Sequence, residues 1–142
     1  RLLKKFNTAK ELVPQPVFGQ KEQSSTLGLV YFGTTDIAIP ETMSLLKEKE
    51  IRLDTMRIRA FPFCNEVEKF INDHEQVFLV EQNRDGQMRS LLITECEINP
   101  AKIVPILNYD GFPITATSIV DMISKYLGET KTKVEAGNFA AE

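Results

Sequence analysis

A mostly parallel sheet with helices on both faces, a three-layer α/β/α fold, is what this sequence predicts. Three observations point to it. From Leu27 onward, strand-like apolar runs alternate with helix-period segments in four β–α units. The run Val77-Phe78-Leu79-Val80 is apolar without alternation, which suits a strand buried on both faces. The loops between units are of ordinary length, and such a topology brings right-handed crossovers.

Each element has its own signal. Residues 2–13 carry Leu2, Leu3, Phe6, Ala9 and Val13 at helical spacing, and Pro14 and Pro16 end that helix. Residues 14–26 are polar and irregular, with a brief strand available at Val17-Phe18. Leu27–Gly33 reads as a strand. Residues 37–49 read as a helix with Ile39, Met43 and Leu46 on one face and Pro40 in its first turn. Leu53–Arg59 is a second strand-like run. Asn65 then caps a helix carrying Val67, Phe70 and Ile71. Residues 86–96 form a helix with Met88, Leu91, Leu92 and Cys96 inward. Ile103–Leu107 is a strand whose Pro105 argues for a sheet edge. Thr115 or Thr117 caps the last helix, with Ile119, Val120, Ile123, Tyr126 and Leu127 inward and Gly128 as its stop. The expected organisation is an N-terminal helix and linker over 1–26, an α/β domain over 27–128 and a flexible tail over 129–142.

Length and composition narrow the function classes. The 142 residues suit one domain, and 42% apolar content suffices for its core. A net charge of −3 gives no electrostatic reason to expect nucleic acid or an anionic membrane as partner. No apolar run reaches the length of a membrane span, and the start lacks a signal-peptide pattern. The first residue is Arg1 rather than Met, which reads as processing or, preferably, as excision from a longer chain. Two distant cysteines, Cys64 and Cys96, are too few for a four-cysteine cluster or an all-cysteine zinc site. Free thiols in a reducing cytoplasm fit them.

Reaction machinery is sparse. His74 is the sole histidine, in the polar context Asn72-Asp73-His74-Glu75, and reads as a helix end complementing the helix dipole. Neither G-x-G-x-x-G nor G-x-x-x-x-G-K-[ST] occurs. Asp110-Gly111 lacks the rest of a thiamine diphosphate motif. With Pro113 following, it reads as a turn in which Gly111 supplies backbone freedom. Glu41, Glu48, Glu66, Glu68 and Asp121 occupy polar helical positions that solvation explains.

Two loops stand out. In Gly33-Thr34-Thr35-Asp36, Gly33 permits a tight turn and Thr35 or Asp36 can cap the next helix. Gln82-Asn83-Arg84-Asp85-Gly86-Gln87 follows the most buried strand. Both lie at strand C-termini, where open α/β sheets build crevices and helix N-termini attract anions. Arg84 would add a bidentate partner. Capping with loop closure, and contact with another domain, account for these loops equally well. A ligand site ranks behind both, because βα loops are polar in most such domains.

The stretch VFLVEQNRDGQMRSLL, Val77–Leu92, resembles the V-V-E-x-N-x-x-G-Q-x-x-x-L-L segment in the C-terminal part of the alpha subunit of 2-oxoacid:ferredoxin oxidoreductases. Val80, Glu81, Asn83, Gly86, Gln87, Leu91 and Leu92 match. LVYFGTTDIAIPETMSLLKEK, MRIRAFPFCNEVEKFI and ILNYDGFPITATSIVDMI resemble further segments of that family in order and spacing, so the likeness covers roughly 27–127. The V-E-Q-N form is most similar to the 2-oxoglutarate type. Pro40 departs from the family pattern. The resemblance implies a domain similar to the transketolase C-terminal domain, with strand order 1-3-2-4-5, strand 1 antiparallel at Val17-Phe18, and the two singled-out loops side by side. It implies a parent enzyme that oxidatively decarboxylates a 2-oxoacid to an acyl-CoA and passes electrons to ferredoxin. That parent would use thiamine diphosphate, Mg²⁺ and iron–sulfur clusters, none of them bound by this domain. The chain would then be a non-catalytic assembly domain, inactive alone. Its partners would be the remaining domains of the alpha subunit and the partner subunit, and a homodimer stays open. Thr34, Thr35, Asn83, Arg84 and Gln87 are the contact candidates, and Gly33, Gly86 and Gly111 the backbone ones. The alternative is an effector- or coenzyme A-binding module using the crevice between loops 33–36 and 82–87.

Overall fold

The computed structural model describes residues 2–19 and 25–139, with side chains through 131. Helix α1 (Leu2–Leu12) precedes the two-residue strand β1 (Val17–Phe18). Then come β2 (Leu27–Phe32), a 3-10 segment (Gly33–Ala38), α2 (Ile39–Glu48), β3 (Asp54–Ile58) and α3 (Asn65–Asp73). The chain finishes with β4 (Gln76–Glu81), α4 (Gln87–Cys96), β5 (Ile103–Leu107) and α5 (Ala116–Phe139). The sheet order is β1-β3-β2-β4-β5. β1 runs antiparallel to β3, and the other pairs are parallel. The predicted fold class and strand order therefore hold. The centre of the irregular stretch expected over 14–26 lies outside the described residues.

The central strands explain themselves by period 2. Leu29, Tyr31, Phe78 and Val80 face α2 and α5 and pack on Leu46, Ile119 and Ile123. Val30, Val77 and Leu79 face the other way, onto Val67, Phe70, Ile71 and Leu92 of α3 and α4. The unbroken apolar run of β4 is thus shared between two cores, one on each face. β5 is an edge strand, and its Pro105 is exposed where no ladder partner is required. Gly28 in β2 is a packing requirement: a Cβ there would come within 2.9 Å of the Phe70 ring.

Four local expectations need correction. Asn65 is the first helical residue of α3, and the N-cap is Cys64, with no side-chain cap bond. Thr35 and Asp36 do not cap α2. The 3-10 segment runs straight into that helix, and both side chains are engaged elsewhere. Gly128 does not stop α5, so the tail expected from 129 begins inside a helix that reaches Phe139. The reason is conformational: a glycine stop needs a left-handed backbone, which Gly128 does not adopt, and glycine within a helix costs only about 1 kcal/mol. His74 ends α3 as expected, but it is buried rather than solvated. Its Nδ1 lies 2.7 Å from the Phe70 carbonyl oxygen and its Nε2 3.1 Å from Asp54 Oδ2. Of the two proposed caps for α5, Thr115 is the one used, its Oγ1 accepting from the Ser118 N–H at 3.2 Å.

Candidate functional site

Parallel strands β2, β3, β4 and β5 all end at one rim, and every βα loop gathers there. The two loops singled out from sequence meet. Gln82 Nε2 donates to Thr34 Oγ1 at 3.2 Å and to Thr35 Oγ1 at 3.1 Å. Asp36 accepts from Arg57 at 2.6 Å. It also bonds the Tyr31 hydroxyl, whose pKa is raised by burial first and by the neighbouring Asp36 charge second.

Loop 82–87 is organised by a residue that sequence reasoning passed over. Glu81, the last residue of β4, is fully buried. Its Oε2 accepts from the Met88 N–H at 2.8 Å and from Asn83 Nδ2 at 2.9 Å, and its Oε1 accepts from the Arg89 N–H at 2.9 Å. The carboxylate therefore sits on the N-terminus of α4, where helix dipole and free N–H groups favour an anion. Asn83 Oδ1 accepts from the Asp85 and Gln87 N–H groups at 3.1 and 3.3 Å. Gly86, with φ +61°, links loop to helix. Arg84 and Gln87 are exposed, and Arg84 Nε donates to Asp85 at 2.7 Å. The residue-level signal for Glu81 was present: an acid at the end of an otherwise apolar central strand, one turn before a helix. Burial of the strand on both faces leaves that acid no water, so it needs donors from the protein.

The same rim holds an apolar groove of about 720 Å³, lined by Ile37, Tyr109, Phe112, Pro113 and Ile114 with Glu41 at its edge. Ile37, Tyr109 and Phe112 are 84%, 65% and 75% exposed. Phe61, after β3, is also exposed. Gly111, with φ +88°, sits in the turn that presents Tyr109 and Phe112, and Asp110 Oδ1 fixes that turn by accepting from the Phe112 N–H at 2.9 Å. Sequence alone marked this stretch as a turn but not as a surface, since two aromatics in a turn carry no period.

The donor set does not fit an iron–sulfur cluster or a catalytic metal. Among the described residues no three His, Cys, Asp or Glu side chains are grouped for a metal. Cys64 is buried and Cys96 half-buried, and burial raises both thiols, Cys96 to about 11. They are poor thiolate ligands and poor nucleophiles as placed. No described helix is long and apolar enough to cross a membrane.

No family model matches the chain. It is 29% identical, over 95% of its length, to the alpha subunit of 2-oxoacid:ferredoxin oxidoreductase 2 of Aeropyrum pernix. It spans 22% of that relative's length. The fold is shared with 2-oxoglutarate:ferredoxin oxidoreductase from Magnetococcus marinus, a structure with 2-oxoglutarate, coenzyme A and succinyl-CoA bound. There the TM-score is 0.72 at 21% identity, covering 84% of this chain and 21% of that one. It is also shared with the alpha chain of a probable 2-oxoacid ferredoxin oxidoreductase from Thermoplasma acidophilum. The TM-score there is 0.53 at 23% identity, covering 80% of this chain and 97% of that one. Sequence relative and fold neighbours alike point to the alpha subunit of a 2-oxoacid:ferredoxin oxidoreductase.

Proposed function

We propose that this chain is a non-catalytic assembly domain of a 2-oxoacid:ferredoxin oxidoreductase alpha subunit, of the 2-oxoglutarate type. In this reading the α/β body over 27–128 packs, through its rim, against the other domains of that subunit and against the partner subunit. The parent enzyme supplies thiamine diphosphate, Mg²⁺, iron–sulfur clusters and the route to ferredoxin, in the cytoplasm. The chain holds the active-site domains in place.

The observation that carries the proposal is the state of the rim. Its polar groups are spent internally while its large apolar side chains are exposed. Glu81 occupies the helix N–H groups that an incoming phosphate or carboxylate would need, and Gln82 draws loops 33–36 and 82–87 together. Arg84 already donates to Asp85. The coenzyme A or effector alternative would have to displace these bonds, whereas a packing surface uses Ile37, Tyr109 and Phe112 as they stand.

Isothermal titration of the chain with thiamine diphosphate, coenzyme A, 2-oxoglutarate and ATP should give no saturable heat. Saturable binding that disappears in Arg84→Ala would replace the assembly reading with a ligand module. Arg84→Glu in the assembled enzyme should weaken subunit association with the circular dichroism spectrum unchanged. An association constant equal to that of the parent would remove Arg84 from the contact surface.

A further inference from the structure

The exposed large apolar side chains fall into two groups. One is the rim set, Ile37, Phe61, Tyr109 and Phe112. The other is on α1 and β1: Leu2, Leu3, Phe6 and Leu12, with Val17 and Phe18. α1 buries no residue in its own chain. Along one stripe, Ala9, Lys10 and Val13 are half-buried, while Leu2, Leu3 and Phe6 continue the stripe into solvent. The C-terminal half of α1 flanks the start of α3, across a depression lined by Lys10, Gln15, Cys64 and Glu66. The N-terminal half projects with its apolar side uncovered.

Topology puts both groups at one end of the molecule. Because β1 is antiparallel to β3, with Val17 opposite Arg57, the chain enters the sheet at the end where the βα loops lie. Charge is complementary between the groups. The groove carries Glu41, with Asp110 in the adjoining turn, and neither Lys nor Arg lines it. α1 carries Lys4, Lys5 and Lys10 against Glu11.

We infer that the N-terminal half of α1 docks into the rim groove of a second copy of this chain, and reciprocally, forming a closed two-fold dimer. Donor and acceptor surfaces on the same end allow one rotation to satisfy both contacts, so the assembly closes instead of growing into a fibre. Leu3 and Phe6 fill the groove beside Tyr109 and Phe112, and Lys4 and Lys5 meet Glu41 and Asp110. An 11-residue helix is about 16 Å long, so two apolar turns suffice to reach across the groove. The inference goes beyond the assembly proposal and is tested on the chain alone, so either can fail without the other.

The test is sedimentation equilibrium of the chain from micromolar to millimolar concentration, with Leu3→Asp and Phe112→Asp as variants. Both positions are more than 70% exposed, so their folding is checked by circular dichroism with no loss expected. A dimer is expected whose dissociation constant rises at least about tenfold in each variant. An equimolar mixture of the two variants keeps one intact contact per pair and should dimerise more tightly than either variant alone. A monomer throughout, a dimer that neither variant moves, a mixture no tighter than its parts, or mass that grows without limit would each overturn the inference.

Discussion

Loop 82–87 and the turn 108–113 lie at the same rim and differ in what their side chains do there. The first is polar and turned inward on its own backbone. Glu81 and Asn83 accept from the Asp85, Gln87, Met88 and Arg89 N–H groups, and Gln82 ties it to the neighbouring loop. The second is held by one short-range bond from Asp110 and points Tyr109 and Phe112 outward. Polarity in a loop is therefore a poor guide to an open binding site. A polar side chain close to helix N–H groups finds its partner at home. An aromatic in a tight turn has nothing local to pack on and stays available.

The contrast breaks most visibly at Glu81. Glu81→Gln keeps the shape but places an amide donor against backbone donors at the start of α4. Hydrogen bonds to a charged group are worth about 1.5–3 kcal/mol, and a donor facing a donor recovers little of that. A loss of about 2–3 kcal/mol is expected in urea unfolding, with an unchanged slope against denaturant. If the loss stays under about 1 kcal/mol, loop 82–87 does not depend on its buried acid, and its N–H groups are exchangeable for a ligand.

Much of the fold was legible in the sequence because long-range order here follows local pattern. The uniform run Val77–Val80 marks the strand shared by two cores, and Pro105 marks the edge. The strand order came from resemblance, since period alone cannot order strands. The site was less legible because its parts are defined by burial. Glu81 and Glu41 are the same letter, yet one is sealed beneath a helix and the other borders a groove. Asp36 looked like a helix cap, and Arg57, 21 residues later in sequence, claims it instead. Gly128 looked like a stop, and its helical backbone carries α5 onward.

Gly86 sharpens the comparison at smaller scale. Its φ of +61° joins loop to helix, and a Cβ there would meet nothing nearer than 3.9 Å. Gly86→Ala therefore isolates backbone strain from crowding. A left-handed alanine costs about 1–2 kcal/mol, partly offset by reduced freedom of the unfolded chain. The net loss should be about 1 kcal/mol by thermal or chemical unfolding. A neutral result would mean that the loop can relax away from the left-handed conformation, and that the Glu81 cap rather than the glycine defines it.

The smallest effect is expected on the apolar side, and there a near-zero result is the informative one. Phe112 is 75% exposed and belongs to neither buried core. Phe112→Ser should change the unfolding free energy by no more than about 0.5 kcal/mol, as surface substitutions do. A residue that contributes so little to its own fold, yet leaves an aromatic ring in water, is retained at a cost in solubility rather than stability. A loss above about 1 kcal/mol would make the turn 108–113 part of the hydrophobic core. The rim would then have no surplus apolar surface, and the difference between its two loops would be one of chemistry alone.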